Sequence, residues 1–188
     1  MKIYHGAMSA LLYFIFYTLQ KHLNIKNHCW KSAETNWVLV CDVDELLDIS
    51  EDQLIKESEE NTTIVRAEGY NMVSMENDLS PSDIVHGYRA EAHDKFYLFN
   101  KKFISQMNYE PGCHVAHPSG VVVFSKTAYK AYHYHFLSEN RLITRYKEYA
   151  SRLSPNNVKN KWGFHYLFDE EKIKSEYKRV RGISQKVR

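Results

Sequence analysis

A short continuous run of apolar residues, Trp37 to Cys41, lies between two polar stretches and ends at Asp42. Such a run predicts a strand over residues 37–42 that is buried on both faces, as in a parallel sheet covered by helices. Further on, Ser50 and Gln53 have the spacing of a capping box, which predicts a helix that begins near residue 51 and ends by residue 61. Strand and helix therefore alternate in the first half of the chain.

The middle of the chain predicts strands and the last third predicts helices. Residues 63–67 predict a strand, and residues 69–73 are expected to turn and continue extended. Two strand pairs are expected, one at 95–99 and 103–107 and the other at 121–125 and 131–135. Ser138 and Asp169 are expected to cap the two C-terminal helices. The pattern is that of an α/β domain with a mixed sheet and C-terminal helices.

The chain has 188 residues, which is the length of one domain. We divide this domain into an apolar N-terminal helical segment (1–31), a mixed sheet core (32–137) and a helical C-terminal part (138–188). Residues 6–19 are almost continuously apolar, but a membrane-spanning helix needs about 20 such residues. A buried or partner-covered helix is expected there, and contact with a membrane surface is the alternative.

Composition and charge narrow the class of function. The formal net charge is only +2 with charges of both signs interspersed, so nucleic acid is not the expected main partner. The three cysteines have no zinc or redox spacing. They are expected to be reduced, which indicates a cytoplasmic protein, with membrane association as the alternative.

The candidate chemistry lies at the end of the first predicted strand, in Asp42 and Asp44. Residues two apart in an extended chain point to the same face, so both carboxylates are expected to leave the sheet together. Ligands bind at this edge of open α/β sheets. A divalent cation would relieve the repulsion between the two charges, and hard oxygen ligands suit Mg²⁺ or Mn²⁺. An acidic loop that merely ends a strand is the alternative.

The segment Trp37 to Leu47 resembles the Asp-x-Asp strand of glycosyltransferase family 2-like proteins with the GT-A fold. Residues 25–31, 69–72, 108–114, 133–135 and 145–149 are also similar to blocks of that family. The resemblance implies a partial GT-A (Rossmann-like) domain and a metal-dependent, inverting transferase. The donor would be a nucleotide sugar of the UDP-sugar type, and the acceptor a glycan or other hydroxyl compound. Asp42 and Asp44 would contact the metal and the diphosphate.

The resemblance also raises the question of the nucleotide-binding half. In GT-A domains, strands and helices that hold the base and ribose precede the Asp-x-Asp strand, whereas residues 1–36 of this chain are mostly predicted helix. We therefore expect a heavily reduced first half, or a partner chain that supplies it.

Further site residues follow from position and residue type. His133 and His135 share a face by alternation, and His135 is the candidate third metal ligand. His114, in a Pro-Gly-Cys-His turn, is a candidate for contact with the metal or the phosphate. An inverting transferase needs a general base, for which Asp94 and Glu45 are the candidates and Glu91 is a rival.

Two other classes remain open. One is a degenerate, non-catalytic glycosyltransferase-like module that binds a partner or a glycan. The other is a haloacid dehalogenase-like phosphatase, a family that also places an Asp-x-Asp at a strand end. Leu46 stands where that family has Thr or Val, and no later paired-Asp strand is visible, so the phosphatase is the weaker alternative.

Overall fold

The computed structural model of the protein describes residues 19–76 and 79–188. These residues form a mixed α/β fold in which a large mixed sheet is followed by helices, as expected. The helix predicted for residues 6–19 lies outside the described residues, except for residue 19. The helices are α1 (Leu19–His28), α2 (Glu51–Glu59), α3 (Glu139–Ser151), α4 (Pro155–Lys159) and α5 (Glu170–Ile183). The strands are β1 (Trp37–Leu39), β2 (Glu45–Leu47), β3 (Ile64–Val73), β4 (His86–Arg89), β5 (Leu98–Asn100), β6 (Ile104–Gln106), β7 (Ser119–Gly120), β8 (Phe124–Phe136) and β9 (Gln185–Lys186).

The long strand β3 organises the main sheet. It runs parallel to β8 on one side and antiparallel to β4 and β5 on the other. Beyond these neighbours, β2 pairs with β8, β1 pairs with β5 and β9 pairs with β4, all antiparallel. The mixed sheet that the sequence predicts is therefore present, and β3 with β8 forms its parallel pair.

The first strand differs from its prediction. Strand β1 ends at Leu39 rather than Asp42, and it pairs antiparallel with β5 instead of lying within a parallel sheet. It is an edge strand, so Val38 is buried while Leu39 is about half exposed. A continuous apolar run does not distinguish a central strand from an edge strand that covers a core on one face.

Two predicted strand pairs are also wrong. Residues 121–125 and 131–135 are not two strands, because β8 continues through residues 126–130, which contain no turn-forming Gly, Pro, Asn or Asp. Strands β5 and β6 do not pair with each other, since β6 pairs with β7 in a separate two-stranded sheet. Residues 64–73 form one strand, with Gly69 inside it and no turn.

The predicted helix starts are confirmed. Ser50 accepts a hydrogen bond from the Gln53 N–H and the Gln53 side chain returns the bond, which completes the capping box at the start of α2. Ser138 and Asp169 cap α3 and α5 by accepting the N–H groups of Arg141 and Lys172, without a returned hydrogen bond. None of the helices within the described residues is long and apolar enough to cross a bilayer.

The C-terminal helices are joined to the sheet by a shared apolar core. Leu142 and Tyr146 of α3 and Ile173 of α5 pack against Val73 and Phe136, at the ends of β3 and β8. This packing fixes α3 beside the end of β8, and so places the helix near the turn that precedes β2.

Candidate functional site at the acidic turn

The segment Asp42-Val43-Asp44-Glu45 is a tight turn rather than the end of a strand. The Glu45 N–H donates to the Asp42 carbonyl over 3.1 Å, and Glu45 then begins β2. The alternation rule that placed Asp42 and Asp44 on one face therefore does not apply to them. Val43 is fully exposed at the tip of the turn. Asp42 and Glu45 share Lys95, whereas Asp44 contacts a separate cation, Arg145.

Asp42 is held by helix α1 and by Lys95. Lys26 Nζ lies 2.9 Å from Asp42 Oδ1, His22 Nε2 lies 3.6 Å from the same oxygen, and Lys95 Nζ lies 3.6 Å from Oδ2. His22 and Lys26 are four residues apart and so share one face of the helix. Burial alone would raise the pKa of Asp42, but the nearby imidazole of His22 and the charge of Lys26 hold it well below its usual range. The same pairing with Asp42 raises the pKa of His22 to about 9.

Glu45 is the most deeply buried carboxylate of the turn. Its Oε1 contacts Lys95 Nζ and lies 3.6 Å from His93 Nδ1, and its Oε2 accepts the Asp42 N–H over 3.0 Å. Burial opposes ionisation, but His93, Lys95 and the Asp42 N–H together lower the pKa of Glu45 to about 2. Glu45 is therefore an anion that braces the turn from inside.

Asp44 faces the other side of the turn. Its Oδ2 lies 2.5 Å from Arg145 Nη2 of α3 and 3.5 Å from His133 Nε2 of β8. The Tyr134 N–H also donates to the Asp44 carbonyl over 2.8 Å. Burial would raise the pKa of Asp44, but His133 and Arg145 hold it far below its usual range. Asp44 is thus ionised at neutral pH.

Four histidine rings form a row beside the carboxylates. The ring centroids of His114 and His93 are 5.3 Å apart, those of His93 and His133 are 4.2 Å apart, and those of His133 and His135 are 5.3 Å apart. Burial lowers the pKa of His93 and His114, and burial together with His133 and Arg145 lowers that of His135 to about 3. These three rings are therefore neutral at pH 7 and have a lone pair to offer.

The orientation of His133 is fixed by Asn71. His133 Nδ1 lies 2.7 Å from Asn71 Oδ1, which fixes the orientation of the ring. Nε2 then faces the anionic oxygen of Asp44, 3.5 Å away. This arrangement is unfavourable unless a proton on Nε2 or a bound cation lies between the two atoms.

An open pocket of about 370 Å³ adjoins this side of the turn. Arg145 and His135 belong both to its wall and to the cluster around Asp44. Its other lining side chains are charged or polar apart from one leucine, so it suits a polar, charged ligand. The pocket is lined by His135, Leu137, Asn140, Arg141, Thr144, Arg145 and Glu148.

The structure brings most of the predicted site residues together, at different distances from the acidic turn. Asp42, Asp44 and Glu45 lie in one cluster with His135 at its edge, and His114 reaches the cluster only through His93. His114 Nδ1 is itself engaged with the Ala92 carbonyl at 2.6 Å.

Asp94, a candidate general base, is engaged in an ion pair with Arg89. Its two carboxylate oxygens accept hydrogen bonds from Arg89 over 2.7 and 2.6 Å, and one of them also accepts the Gly69 N–H over 2.8 Å. Although burial raises the pKa of Asp94, Arg89 and the Gly69 N–H lower it by more. Asp94 is therefore a poor proton acceptor that ties the segment before β5 to β3.

Five residues of the cluster have no role in the sequence prediction: His22, Lys26, His93, Lys95 and Arg145. His93 and Lys95 flank Asp94, the predicted general base, and their spacing places both side chains on the opposite side of the chain from it. This spacing is a weak sequence signal that His93 and Lys95 belong to the site. Lys26 and Arg145 give no such sequence signal, since each lies on a helix far from the turn in sequence. The three lysine and arginine charges match the three carboxylate charges of the turn.

The donors present can be tested against a divalent cation. Within residues 19–76 and 79–188, no three His, Cys, Asp or Glu side chains converge on one point, and the oxygens of Asp42 already face lysines. Asp44 Oδ2 and His133 Nε2 lie 3.5 Å apart, which is near the spacing of about 3 Å between neighbouring ligand atoms of a cation with bonds of about 2.1 Å, and Oδ2 also contacts Arg145. Asn71 would orient the imidazole as outer-shell partners do in metal sites. Such a two-donor site suits an ion whose other ligands are water and substrate oxygens.

No family model, no curated protein and no solved structure matches this chain.

Proposed function

We propose that the protein is a GT-A-like glycosyltransferase that transfers a sugar, with inversion, from a UDP-sugar-type donor to a glycan or other hydroxyl acceptor. The observation that carries the proposal is the distance of 3.5 Å between Asp44 Oδ2 and His133 Nε2, beside Arg145 and the polar pocket. An anionic oxygen and an oriented imidazole lie there next to a space that can hold a ligand.

Asp44 and His133 would hold Mn²⁺ or Mg²⁺ in this protein. When bound, such an ion neutralises the negative charge that develops on a leaving diphosphate. Asp42 then has an indirect part, since its carboxylate fixes α1 and Lys95 against the turn. This division of roles differs from the expectation that both aspartates contact the metal.

Arg145 and Arg141 would bind the diphosphate. Both line the pocket, and Arg145 Nη2 already contacts an anionic oxygen of Asp44. A guanidinium group forms paired hydrogen bonds with phosphate oxygens, which orients the donor as well as binding it. His135 and Thr144 lie in the same wall and would contact uncharged parts of the donor. The base and ribose would contact residues outside this pocket, supplied by the same polypeptide or by a partner chain.

The general base in this proposal is Glu148. It is the carboxylate in the wall of the pocket. The earlier candidates are less suited to accept a proton, because Glu45 is buried with a pKa of about 2 and Asp94 is fully engaged with Arg89 and Gly69. Glu148 would accept the proton of the acceptor hydroxyl as that oxygen attacks the anomeric carbon.

One observation favours a second candidate, the non-catalytic module. The three carboxylates of the turn are already compensated by Lys26, Lys95 and Arg145. A turn of this kind is stable without any ligand, as expected of a binding scaffold that has kept the shape of a glycosyltransferase site.

Calorimetric titration separates the two candidates. The purified chain is titrated with Mn²⁺, then with UDP, and finally with UDP in the presence of Mn²⁺. Asp44→Asn is compared with Asp52→Asn, which makes the same chemical change on the exposed first turn of α2. The transferase predicts that UDP binds much more tightly with Mn²⁺ present, and that Asp44→Asn but not Asp52→Asn removes this gain.

Two outcomes would contradict the transferase. If UDP binds equally well with and without Mn²⁺, the proposed metal role fails. If neither ligand binds to the wild type while the chain remains folded by circular dichroism, the non-catalytic module is the better description. A chain that passes the binding test is then assayed for hydrolysis of UDP-sugars, with Glu148→Gln expected to lower turnover and leave UDP affinity unchanged.

A further inference from the structure

A basic and aromatic surface lies in residues 149–168. This segment contains Arg152, Lys159 and Lys161 and no aspartate or glutamate. All three cationic side chains are exposed, and within the described residues none of them forms a salt bridge. The acidic residues that flank the segment in sequence have other contacts or positions. Glu148 lies in the pocket wall, Glu170 pairs with Lys147, and Asp169 caps α5.

The same segment exposes large apolar side chains. Val158, Phe164 and Leu167 are each more than half exposed, and Trp162 is also exposed. Phe164 and Leu167 belong to the 3₁₀ helix Phe164–Leu167, in which residues three apart project from the same side. Four exposed apolar side chains within ten residues, beside three exposed cations, are suited to contact with a partner.

The backbone holds Trp162 in its exposed position. Lys161 and Gly163, on either side of it, both have left-handed backbone angles, with φ of 56° and 70°. The Trp162 N–H donates to the Asn157 carbonyl over 2.9 Å. A Cβ atom at Gly163 would lie 3.0 Å from the ring of Tyr166, so only glycine fits there without displacing that ring.

The surface rests on a rigid support. The ring of Tyr166 packs edge-on against Tyr146 and Tyr149 of α3, with centroid distances of 5.3 and 4.8 Å. Tyr166 thus anchors the 3₁₀ helix from below, while Phe164 and Leu167 project outward. The apolar groups are therefore displayed on an anchored element.

We propose that residues 149–168 form a docking surface for an anionic phospholipid bilayer. Tryptophan and phenylalanine prefer the headgroup level of a bilayer, where the ring is buried and the polar backbone stays wet. Lysine and arginine beside them gain from the negative surface potential of anionic lipids. An uncharged glycan could stack on Trp162 and Phe164, but it would not need three unpaired cations, so the charge pattern favours the lipid surface. Residues 149–154 belong to α3 or follow it directly, so docking would place the polar pocket close to the membrane.

Vesicle co-sedimentation tests this inference with the full chain. Binding is measured to vesicles of phosphatidylcholine and to vesicles of an equal mixture of phosphatidylcholine and phosphatidylglycerol. We expect binding to the mixed vesicles only, weaker at high salt because screening shortens the reach of surface charges. Lys159→Gln/Lys161→Gln should weaken this binding by at least about tenfold. Lys102→Gln/Lys178→Gln removes the same charge from exposed positions elsewhere and should have a much smaller effect.

The apolar part of the surface has its own test. Trp162→Ala/Phe164→Ala should also weaken binding to mixed vesicles, and circular dichroism confirms that the variant is folded. In the wild type, tryptophan fluorescence should shift to shorter wavelength when mixed vesicles are added. Trp162→Phe should lose that shift and keep most of the binding, because an aromatic ring remains at the position.

Several results would overturn the inference. The inference fails if the wild type binds both vesicle types equally or binds neither. It also fails if binding to mixed vesicles persists in Lys159→Gln/Lys161→Gln and in Trp162→Ala/Phe164→Ala. Persistent binding would arise elsewhere, for example from the apolar residues 6–19. If Trp162→Ala/Phe164→Ala instead abolishes binding to an oligosaccharide and leaves vesicle binding intact, the surface is a glycan site. None of these results depends on whether the chain transfers sugars.

Discussion

Arg145 Nη2 lies 2.5 Å from Asp44 Oδ2 and joins residues that are 101 positions apart in the chain. Neither side chain is freely solvated, since about 28% of the arginine and 18% of the aspartate is exposed. The contact connects α3 to the acidic turn. It makes the position of the carboxylate depend on the packing of the C-terminal helices against the sheet.

The first prediction concerns the stability of this pair. Arg145→Gln should lower the free energy of unfolding by about 2 kcal/mol, because it leaves a partly buried carboxylate without its strongest partner. Asp44→Asn should have a similar cost, and the double variant should cost clearly less than the sum. Urea denaturation measures all three.

Arg179→Gln is the matched control for this cycle. Arg179 pairs with Glu176 on the exposed face of α5, and its loss should change the unfolding free energy by no more than about 0.5 kcal/mol. Strict additivity of Arg145→Gln and Asp44→Asn would show that the two side chains do not interact.

A second prediction concerns Lys95, whose side chain is buried against Glu45. Lys95→Met should destabilise the protein by about 3–5 kcal/mol, because an uncompensated carboxylate remains inside. Adding Glu45→Gln should recover part of the loss, since the remaining group is then neutral. Thermal or urea unfolding gives both values, and Lys102→Met on the surface is the control. A double variant less stable than Lys95→Met would contradict the pairing.

Much of the fold around these residues follows from local sequence signals. The caps at Ser50, Ser138 and Asp169 are predictable because each needs only a side chain and the N–H groups of the next turn. The mixed α/β class is predictable for a similar reason, since hydrophobic periodicity is local. Strand pairing is not, because the partners of β1 and β6 are chosen by packing between distant segments.

The candidate site is predictable to a smaller extent. Asp42, Asp44 and Glu45 are identified by their position after an apolar run, but the assumption of an extended backbone fails at the turn. The cations that surround them come from α1, the segment before β5, and α3. Sequence spacing gives a weak signal for Lys95, next to Asp94, and carries no information about the contacts of Lys26 and Arg145, which are visible only in the structure.

The third prediction concerns pH. The folded pKa of His135 is about 3, below the ordinary value of 6.5, so between these values the unfolded chain binds a proton that the folded chain does not. Stability is therefore full above pH 6.5 and should fall as the pH decreases toward 3, by up to about 1.4 kcal/mol per pH unit from this residue. His93 and His114 act in the same direction.

His135→Gln tests the contribution of that residue. Urea denaturation between pH 7 and pH 5 should show a smaller slope in the variant than in the wild type, because the carboxylates of the turn titrate only at lower pH. His22 acts in the opposite direction, because its pKa is raised to about 9 in the folded chain. Its contribution to the free energy of unfolding is lost as the pH rises from 6.5 through 9. An unchanged slope in His135→Gln would show that this imidazole is solvated.

The fourth prediction concerns Gly69, which lies within β3 under the segment that carries His93. A Cβ atom there would lie 2.4 Å from His93 Cβ and 2.7 Å from the Ala90 carbonyl oxygen. Gly69→Ala should therefore cost about 1–3 kcal/mol through overpacking, and it should shift the imidazole NMR signals of His93 and His133. Gly182→Ala in α5, where a Cβ atom meets nothing within 4 Å, should instead be neutral or stabilising. Equal effects of the two substitutions would contradict the close approach of β3 to this segment.

The most direct test of the proposed function is electron-spin-echo spectroscopy of the chain with bound Mn²⁺ and UDP. If Asp44 and His133 hold the ion, the spectrum shows modulation from one directly coordinated imidazole nitrogen. That signal disappears in His133→Gln and persists in His114→Gln, which removes a histidine of the same row. A spectrum without nitrogen modulation in the wild type, or with a signal that survives His133→Gln, would contradict the assignment of the acidic turn as the metal and diphosphate site.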